Sequence, residues 1–272
     1  MFKIVTSSAN TRVKTSRQLH SRSGILKNGL YLVEGPRFIS DRSATSWPEW
    51  VLLAEDAGEP AAELAGRLDS AGCDILQLPR DIFVDVSDTE TSQGIIAVIP
   101  LPPSDPSLLP ETGLHLLLDA VSDPGNMGTI LRSAAAFGCS AVVSGSGSCF
   151  PFIPKVTRAA AGLNGMVPLA YDVKLPSFIR ENRGRMEFAG ADASGGSLER
   201  LHEMRGALGL VIGSEAHGIS AEVEELLNFT VAIPMAKGVE SLNAAVSASI
   251  LLREASRGTV PTGSGNNGPV SG

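Results

Sequence analysis

Apolar and polar positions along the chain change rhythm near residue 100. Before it, short apolar runs alternate with amphipathic stretches, which predicts a small α/β unit with short strands at Tyr31–Glu34, Trp50–Ala54, Asp74–Leu78 and Gln93–Ile99. Helical spacing predicts helices near Arg37–Arg42 and Ala61–Ala71. Pro100, Pro102, Pro103, Pro106 and Pro110 then fall within eleven residues, which predicts a semi-rigid extended linker without regular structure. From Leu114 the apolar runs become longer and β-branched and alternate with helical patterns, as a mostly parallel sheet covered on both faces requires. Its strands are expected at Leu114–Asp119, Ala141–Ser144, Glu187–Ala191, Leu208–Ile212 and Thr230–Ile233. Its clearest helices are expected at Gly128–Phe137, Pro176–Asn182 and Asn243–Ala255, the last with Val246, Ile250 and Leu251 on one stripe, and a short one near Glu222–Leu227. After Arg257 the residues are Gly, Ser, Asn and Pro with almost nothing to bury, so a disordered tail is expected. The organisation read from the pattern is a first domain at 1–99, a linker at 100–112, a second domain at 113–257 and a tail at 258–272.

The chain has 272 residues, 43% hydrophobic and 19% charged, enough for two cores. Its richest apolar stretches, Gly94–Pro103 and Leu114–Val121, are too short to span a bilayer, so a soluble protein is expected. Cys73, Cys139 and Cys149 are scattered and include no CxxC pair, which indicates neither a disulfide framework nor a thiolate metal site and fits a reducing compartment, the cytoplasm. The net charge of −7 argues against a general polyanion binder. Its distribution says otherwise. Residues 1–30 hold Lys3, Arg12, Lys14, Arg17, Arg22 and Lys27 with no acid, whereas residues 51–100 hold ten acids against Arg67 and Arg80. The basic stretch can be an arm that meets nucleic-acid phosphates, a solvated face, or a transit peptide rich in Ser and Arg.

Three segments place Gly, Pro and polar residues at the carboxyl end of an expected strand, where open α/β sheets put ligands. The first runs from Asp119 through Asn126 to Arg132. With a helix starting near Gly128, Arg132 stands about one turn in, and the Asn126 amide and the guanidinium can both face the loop mouth. A phosphate there would meet backbone N–H groups and a bidentate Arg132; the competing reading is a turn with a solvated arginine. The second segment, Gly213-Ser-Glu215-Ala-His217-Gly218, follows a buried-looking strand. Gly213 permits close backbone approach, and Glu215 can accept from a ribose hydroxyl or cap the helix after Ser220. His217 has no histidine partner at metal-ligand spacing. In the third segment, Ile233 to Asn243, Ser241 or Asn243 can cap the following helix, and Leu242 between two polar residues suits contact with a flat ligand such as a purine. The lone GxG, Gly145-Ser-Gly147, leads to Pro151 and Pro154 where a helix should begin, so the dinucleotide fingerprint fails.

Together, and in this order, DAVSDPGNMGTILRSAAAFG, LVIGSEAHGIS and VAIPMAKGVESLNAAVSASILL resemble the three motifs of the SpoU or TrmH family of SPOUT methyltransferases, over residues 114–255. NTRVKTSRQLHSRSGILKNGLYLVEGPRFI and SDTETSQGIIAVI look like the small RNA substrate-binding domain that precedes many of these catalytic domains. A basic lead-in is usual in that family, which favours the RNA reading of residues 1–30.

The resemblance implies a parallel α/β sheet with a deep C-terminal trefoil knot and a homodimer with its active site near the interface. It implies S-adenosyl-L-methionine as cofactor, with Gly213, Ile233 and Leu242 holding the adenosine and Glu215, Gly218, Asn243 and Ala244 lining the same pocket. It casts Arg132, Asn126 and Ser241 as catalytic. A literal arginine base conflicts with how strongly a guanidinium holds its proton, so Arg132 is better suited to gripping phosphate and lowering the hydroxyl's pKa. Arg12, Lys14, Arg17, Arg37, Lys155 and Arg158 are the expected RNA contacts. Where the family often has Ser after the arginine at 158, this chain has Ala159 and Ala160, which removes one polar contact. The expected activity is methylation of a ribose 2′-OH in ribosomal RNA, without metal or membrane; the alternatives are a tRNA substrate or a catalytically silent RNA-binding or ribosome-assembly factor.

Overall fold

The computed structural model describes residues 2–259 except 44, 88, 90, 204, 205 and 240, with the backbone alone described at 258 and 259. The tail from 260 lies outside the described residues. The first part of the chain runs β1 (Lys3–Ile4), α1 (Thr11–Gln18), α2 (Arg22–Asn28), β2 (Leu30–Glu34), α3 (Pro36–Ser43), β3 (Trp50–Ala54), α4 (Glu59–Ser70), β4 (Ile75–Leu78), α5 (Arg80–Val84) and β5 (Ile95–Pro100). These strands form a mixed sheet in the order β1-β4-β3-β5-β2, with β5 antiparallel to both of its neighbours. The second part runs β6 (Leu114–Leu118), α6 (Pro124–Ala136), β7 (Ala141–Gly145), α7 (Pro154–Ala159), β8 (Leu169–Val173), α8 (Leu175–Asn182), β9 (Met186–Gly196), α9 (Glu199–Glu203), β10 (Ala207–Ile212), α10 (Ala221–Glu224), β11 (Phe229–Val231) and α11 (Ala244–Thr259). Its six strands, in the order β11-β9-β10-β6-β7-β8, are parallel at every pairing. Both faces are covered, so β6, β7 and β10 are buried at every residue, as their unbroken apolar runs require.

Four expectations need correction. The basic lead-in is not a free arm: α1 and α2 are capped by Asn10 and Ser21, and Val13, Leu19 and Ile25 lie fully in the core. The proline segment is not a free linker. Pro100 ends β5 opposite Leu30, beyond the start of β3, where a missing N–H breaks no second ladder. Ser104 then exchanges hydrogen bonds with the backbone of Tyr171, and Pro106–Leu108 make a 3-10 turn. The stripe of α11 is also different. Val246 is 47% exposed, and the buried face is Ala244, Ala245, Ala248, Leu251, Leu252, Ala255 and Ser256, its alanines and serine letting the helix approach α6 and its leucines filling the space against the sheet. The helix itself runs on to Thr259, two residues past the expected domain end.

The fourth concerns α6, which begins at Pro124 rather than near Gly128. Asp123 caps it through Asn126 N–H at 2.8 Å, with proline in the first turn. Gly128 is therefore an interior residue, and its reason is packing. A Cβ at that position would lie 2.4 Å from Ala159 Cβ, 2.7 Å from the Val156 carbonyl and 2.8 Å from Ala160 N. Ala159 and Ala160 belong to the same contact: Ala159 Cβ faces Gly128 and Ala160 is fully buried. Glycine to alanine inside a helix ordinarily stabilises by about 0.5–1 kcal/mol. Gly128→Ala is expected to reverse that sign and cost about 1–3 kcal/mol by overpacking, read as a lower midpoint in urea unfolding.

Candidate functional site

Loops from the carboxyl ends of β6, β10 and β11 converge because the sheet places β6 and β10 side by side. Asp119, just past β6, donates its N–H to Ile212 at 2.8 Å, and its buried carboxylate accepts Ser220 N–H at 2.7 Å. The turn between them is folded by reciprocal backbone bonds of Ser214 and Gly218, each 3.0 Å. Gly218 has φ of +68°, and a Cβ on Gly213 would sit 2.1 Å from the Gly218 carbonyl carbon. Gly213 leaves no room for a side chain and the left-handed backbone at Gly218 favours glycine, so at these two positions the turn presents backbone.

Against that turn stands a relay of three side chains. Asn126, in the first turn of α6, donates through Nδ2 to the Glu215 carboxylate. Its Oδ1 accepts from Asn243 Nδ2 at 2.9 Å. Asn243 Oδ1 in turn caps α11 by accepting Ala245 N–H at 2.9 Å and Val246 N–H at 3.3 Å. A carboxylate only accepts and a backbone N–H only donates, so both amides have one self-consistent orientation. Of the competing roles read from sequence, Asn243 is the cap and Glu215 reaches Asn126 rather than the helix after Ser220.

Beside the relay lies a cavity of about 110 Å³. Val231, Ile233, Leu242 and Leu251 give it apolar walls, and Ser241, Ser247 and Asp192 give it polar groups. Ser194 N–H and Oγ hydrogen-bond to Asp192, which holds that carboxyl below its usual pKa. Asp192 and Ser247 carried no sequence signal of their own. Ala244, buried, follows Asn243 as the first residue of α11.

Arg132 stands apart from this group. With α6 starting at Pro124 it lies over two turns in, about 9 Å along the axis and about 120° around it from Asn126. It is exposed and has no hydrogen-bond or ion-pair partner among the described residues. The two do not face one loop mouth within a single chain. The expected RNA contacts divide as well. Arg12 pairs with Asp74 at 2.7 Å and lies over the Trp50 ring, and Arg17 pairs with Asp85 at 2.8 Å. Lys14, Arg37 and Lys155 are exposed, and Arg158 is half-buried on α7.

The fold and site define an α/β protein with a cavity at the carboxyl ends of a parallel sheet, joined to a smaller α/β domain. Comparison with known proteins identifies the family: the chain belongs to the SpoU rRNA methylase family, whose model matches residues 113–253, and an MRM3-like substrate binding domain matches residues 10–97. It is 30% identical to the 23S rRNA (guanosine(2553)-2'-O)-methyltransferase RlmP of Bacillus subtilis, over 92% of this chain and 98% of the relative. It is 31% identical to the mouse mitochondrial rRNA methyltransferase 3, over 85% of this chain and 68% of that one. Among solved structures it resembles the SpoU methyltransferase AviRb from Streptomyces viridochromogenes in complex with the cofactor AdoMet, with a TM-score of 0.79, 27% identity, and coverage of 91% and 97%.

The relay predicts separable effects at position 243. Asn243→Ala removes the cap and is expected to cost about 0.5–2 kcal/mol in thermal unfolding. Asn243→Asp keeps a capping oxygen but sets a carboxylate against Asn126 Oδ1. Stability near wild type with displaced Asn126 side-chain amide resonances is expected, and unmoved resonances would refute the relay.

Proposed function

We propose that this protein transfers a methyl group from S-adenosylmethionine to a ribose 2′-OH of RNA, with ribosomal RNA as the substrate class. The observation that carries the reading is the meeting of Asn126, Glu215 and Asn243 beside the cavity of Ile233, Ser241 and Leu242, in a chain of the SpoU family. The rRNA methyltransferases named above favour ribosomal RNA over tRNA. Retention of Asn126, Arg132 and Ser241 favours an enzyme over a silent RNA-binding factor.

The residues present fit S-adenosylmethionine. Ile233 and Leu242 offer apolar walls to an adenine ring, the turn with Gly213 and Gly218 offers backbone groups, and Glu215, Asn243 and Ala244 stand at the relay next in sequence to Leu242 and to that turn. When bound, the sulfonium supplies an already activated methyl, so the chemistry calls for no metal. The protein's share is to orient the hydroxyl and stabilise charge growing on its oxygen. Asn126, its amide fixed by two partners, is suited to holding the ribose. Arg132 grips the neighbouring phosphate, and the hydroxyl's proton passes to a phosphate oxygen, directly or through Ser241 Oγ, which accepts it and hands on its own.

The offset of Arg132 from Asn126 supports a homodimer in which a second copy brings the arginine and the relay together. The exposed Val246 and Leu242 beside half-buried Ile250 support an interface along α11. The trefoil knot is supported by the return of the chain from edge strand β11 across β9 and β10 to pack α11 on α6. We take 1–99 as the substrate domain, 113–257 as the catalytic domain, and the cytoplasm as the compartment, in keeping with three free cysteines.

The test is transfer of labelled methyl from S-adenosylmethionine to ribosomal RNA and tRNA, with nucleoside analysis. Label on a ribose 2′-O of ribosomal RNA is the expected result, and absence of both transfer and cofactor binding would refute the enzyme. Arg132→Ala is expected to abolish transfer while leaving cofactor affinity nearly unchanged by calorimetry; an equal loss of binding would refute its role. Because α1 and α2 belong to the core, point variants replace truncation. Lys14, Arg37 and Lys155 changed together to Ala should weaken RNA binding and flatten the slope of log K against log salt by up to about 2–3. An unchanged slope would return those side chains to the solvated surface.

A further inference from the structure

The two sheets meet along β2, α3 and the segment around α7, and a guanidinium is buried at that seam with no acid among the described residues paired to it. Arg42, on α3, is only 4% exposed. Its Nε donates to Tyr31 Oη at 2.8 Å, and its Nη1 donates to Thr45 Oγ1 at 2.9 Å and to the Gly165 carbonyl at 2.7 Å. No acid among the described residues pairs with it. Burying an arginine against neutral acceptors is a poor way to gain stability compared with an apolar residue of similar volume. What the guanidinium adds is direction. Its planar fork fixes acceptors at set angles, here two from its own domain and one from the other.

The far side is shaped to receive it. A Cβ on Gly165 would lie 2.6 Å from Arg42 Nη2, so a larger residue there would push the fork from its present place. One turn earlier Gly162, with φ of +75°, takes the Phe38 side chain, whose Cβ would be 2.8 Å from a Cβ there. Tyr31 meets the Phe152 ring edge-on, with centroids 5.0 Å apart, in the same seam. Both glycines follow directly on α7, and the opposite side of α7 rests on Gly128 of α6, the helix that carries Asn126 and Arg132. Arg42 is thus one packed element away from the site.

We infer that Arg42 is a positioning residue: it sets the angle between the substrate domain and the α7–α6 pair, so that RNA held by the first half reaches the site in one orientation. This rests on the methyltransferase reading above. Arg42→Met keeps bulk and removes the donors; Arg42→Lys keeps charge and loses the fork; Gly165→Ala disturbs the same contact from the other domain.

Steady-state transfer to ribosomal RNA, cofactor calorimetry and small-angle scattering of the full chain read the outcome. A rise in KM for RNA of about ten-fold is expected for Arg42→Met and Gly165→Ala, with kcat and cofactor affinity within about two-fold. Arg42→Lys should recover part of the KM, and scattering should report a wider spread of interdomain distances. A loss of stability with unchanged KM would reduce Arg42 to a structural contact and overturn the inference. If Arg42→Met fails to fold, Gly165→Ala and Arg42→Lys read the same parameters. Should the wild type transfer no methyl to any RNA, the functional reading fails by itself. Unchanged scattering in the variants would then separately overturn the positioning role.

Discussion

The contact on which the rest depends is the backbone approach of α6 to α7 at Gly128. A side chain there would meet a carbonyl and an amide nitrogen of α7 at less than 3 Å, so the two helices are held at a distance only glycine permits. On the α6 side, that distance fixes where Asn126 stands relative to the loops after β10 and β11. On the α7 side it fixes Gly162 and Gly165, which receive Phe38 and Arg42 from the first domain. The site and the domain seam are therefore built on opposite flanks of one helix pair.

Within the site, polarity rather than bulk gives order. Asn126, Glu215 and Asn243 come from the first turn of α6, the turn after β10 and the residue before α11, and each hydrogen-bonding atom of the two amides has a prescribed partner. Exposed hydrogen bonds of this kind add little net stability, about 0.5–1.5 kcal/mol each, but they remove alternative orientations. The capping bond from Asn243 ties that order to the stability of α11, and α11 in turn is tied to α6 through Ser133 and Ser249 at 2.7 Å. A loop site thus inherits rigidity from two helices.

The expected strands were legible because each carries an unbroken or alternating apolar run, and their ends fall close to expectation except in β9, which continues to Gly196 through small and polar residues; β8 and the two-residue β1 carry no such run and were not expected. The chemistry-bearing segments were legible from residue type at strand ends. The start of α6 was misread although its signal was present: Asp123 before Pro124 is a cap followed by proline in the first turn. Pro-Gly-Asn looked like a turn, and the error carried Arg132 onto the wrong face. Helix α7 has six residues and too little periodicity to be seen, and β8 mixes Leu and Ala with Tyr and Asp. Arg42 and Gly165 are 123 positions apart, and nothing local marks either as half of a pair. Long-range polar contacts depend on how domains dock, which local pattern does not encode.

The charges of the first domain also acquire meaning only with the fold. Arg12 and Arg17 spend their charge on Asp74 and Asp85, and Lys3 joins the same Asp74, so part of the basic lead-in is neutralised by the acid-rich half of its own domain. The remaining exposed cations are not spread evenly. Arg37 precedes Phe38, which packs into the seam, and Lys155 sits on the helix that forms its other wall. A polyanion drawn to both must lie across the joint between the domains. Its attraction then depends on the angle at which they meet, and a buried guanidinium that no acid among the described residues pairs with becomes intelligible as the element that holds that angle.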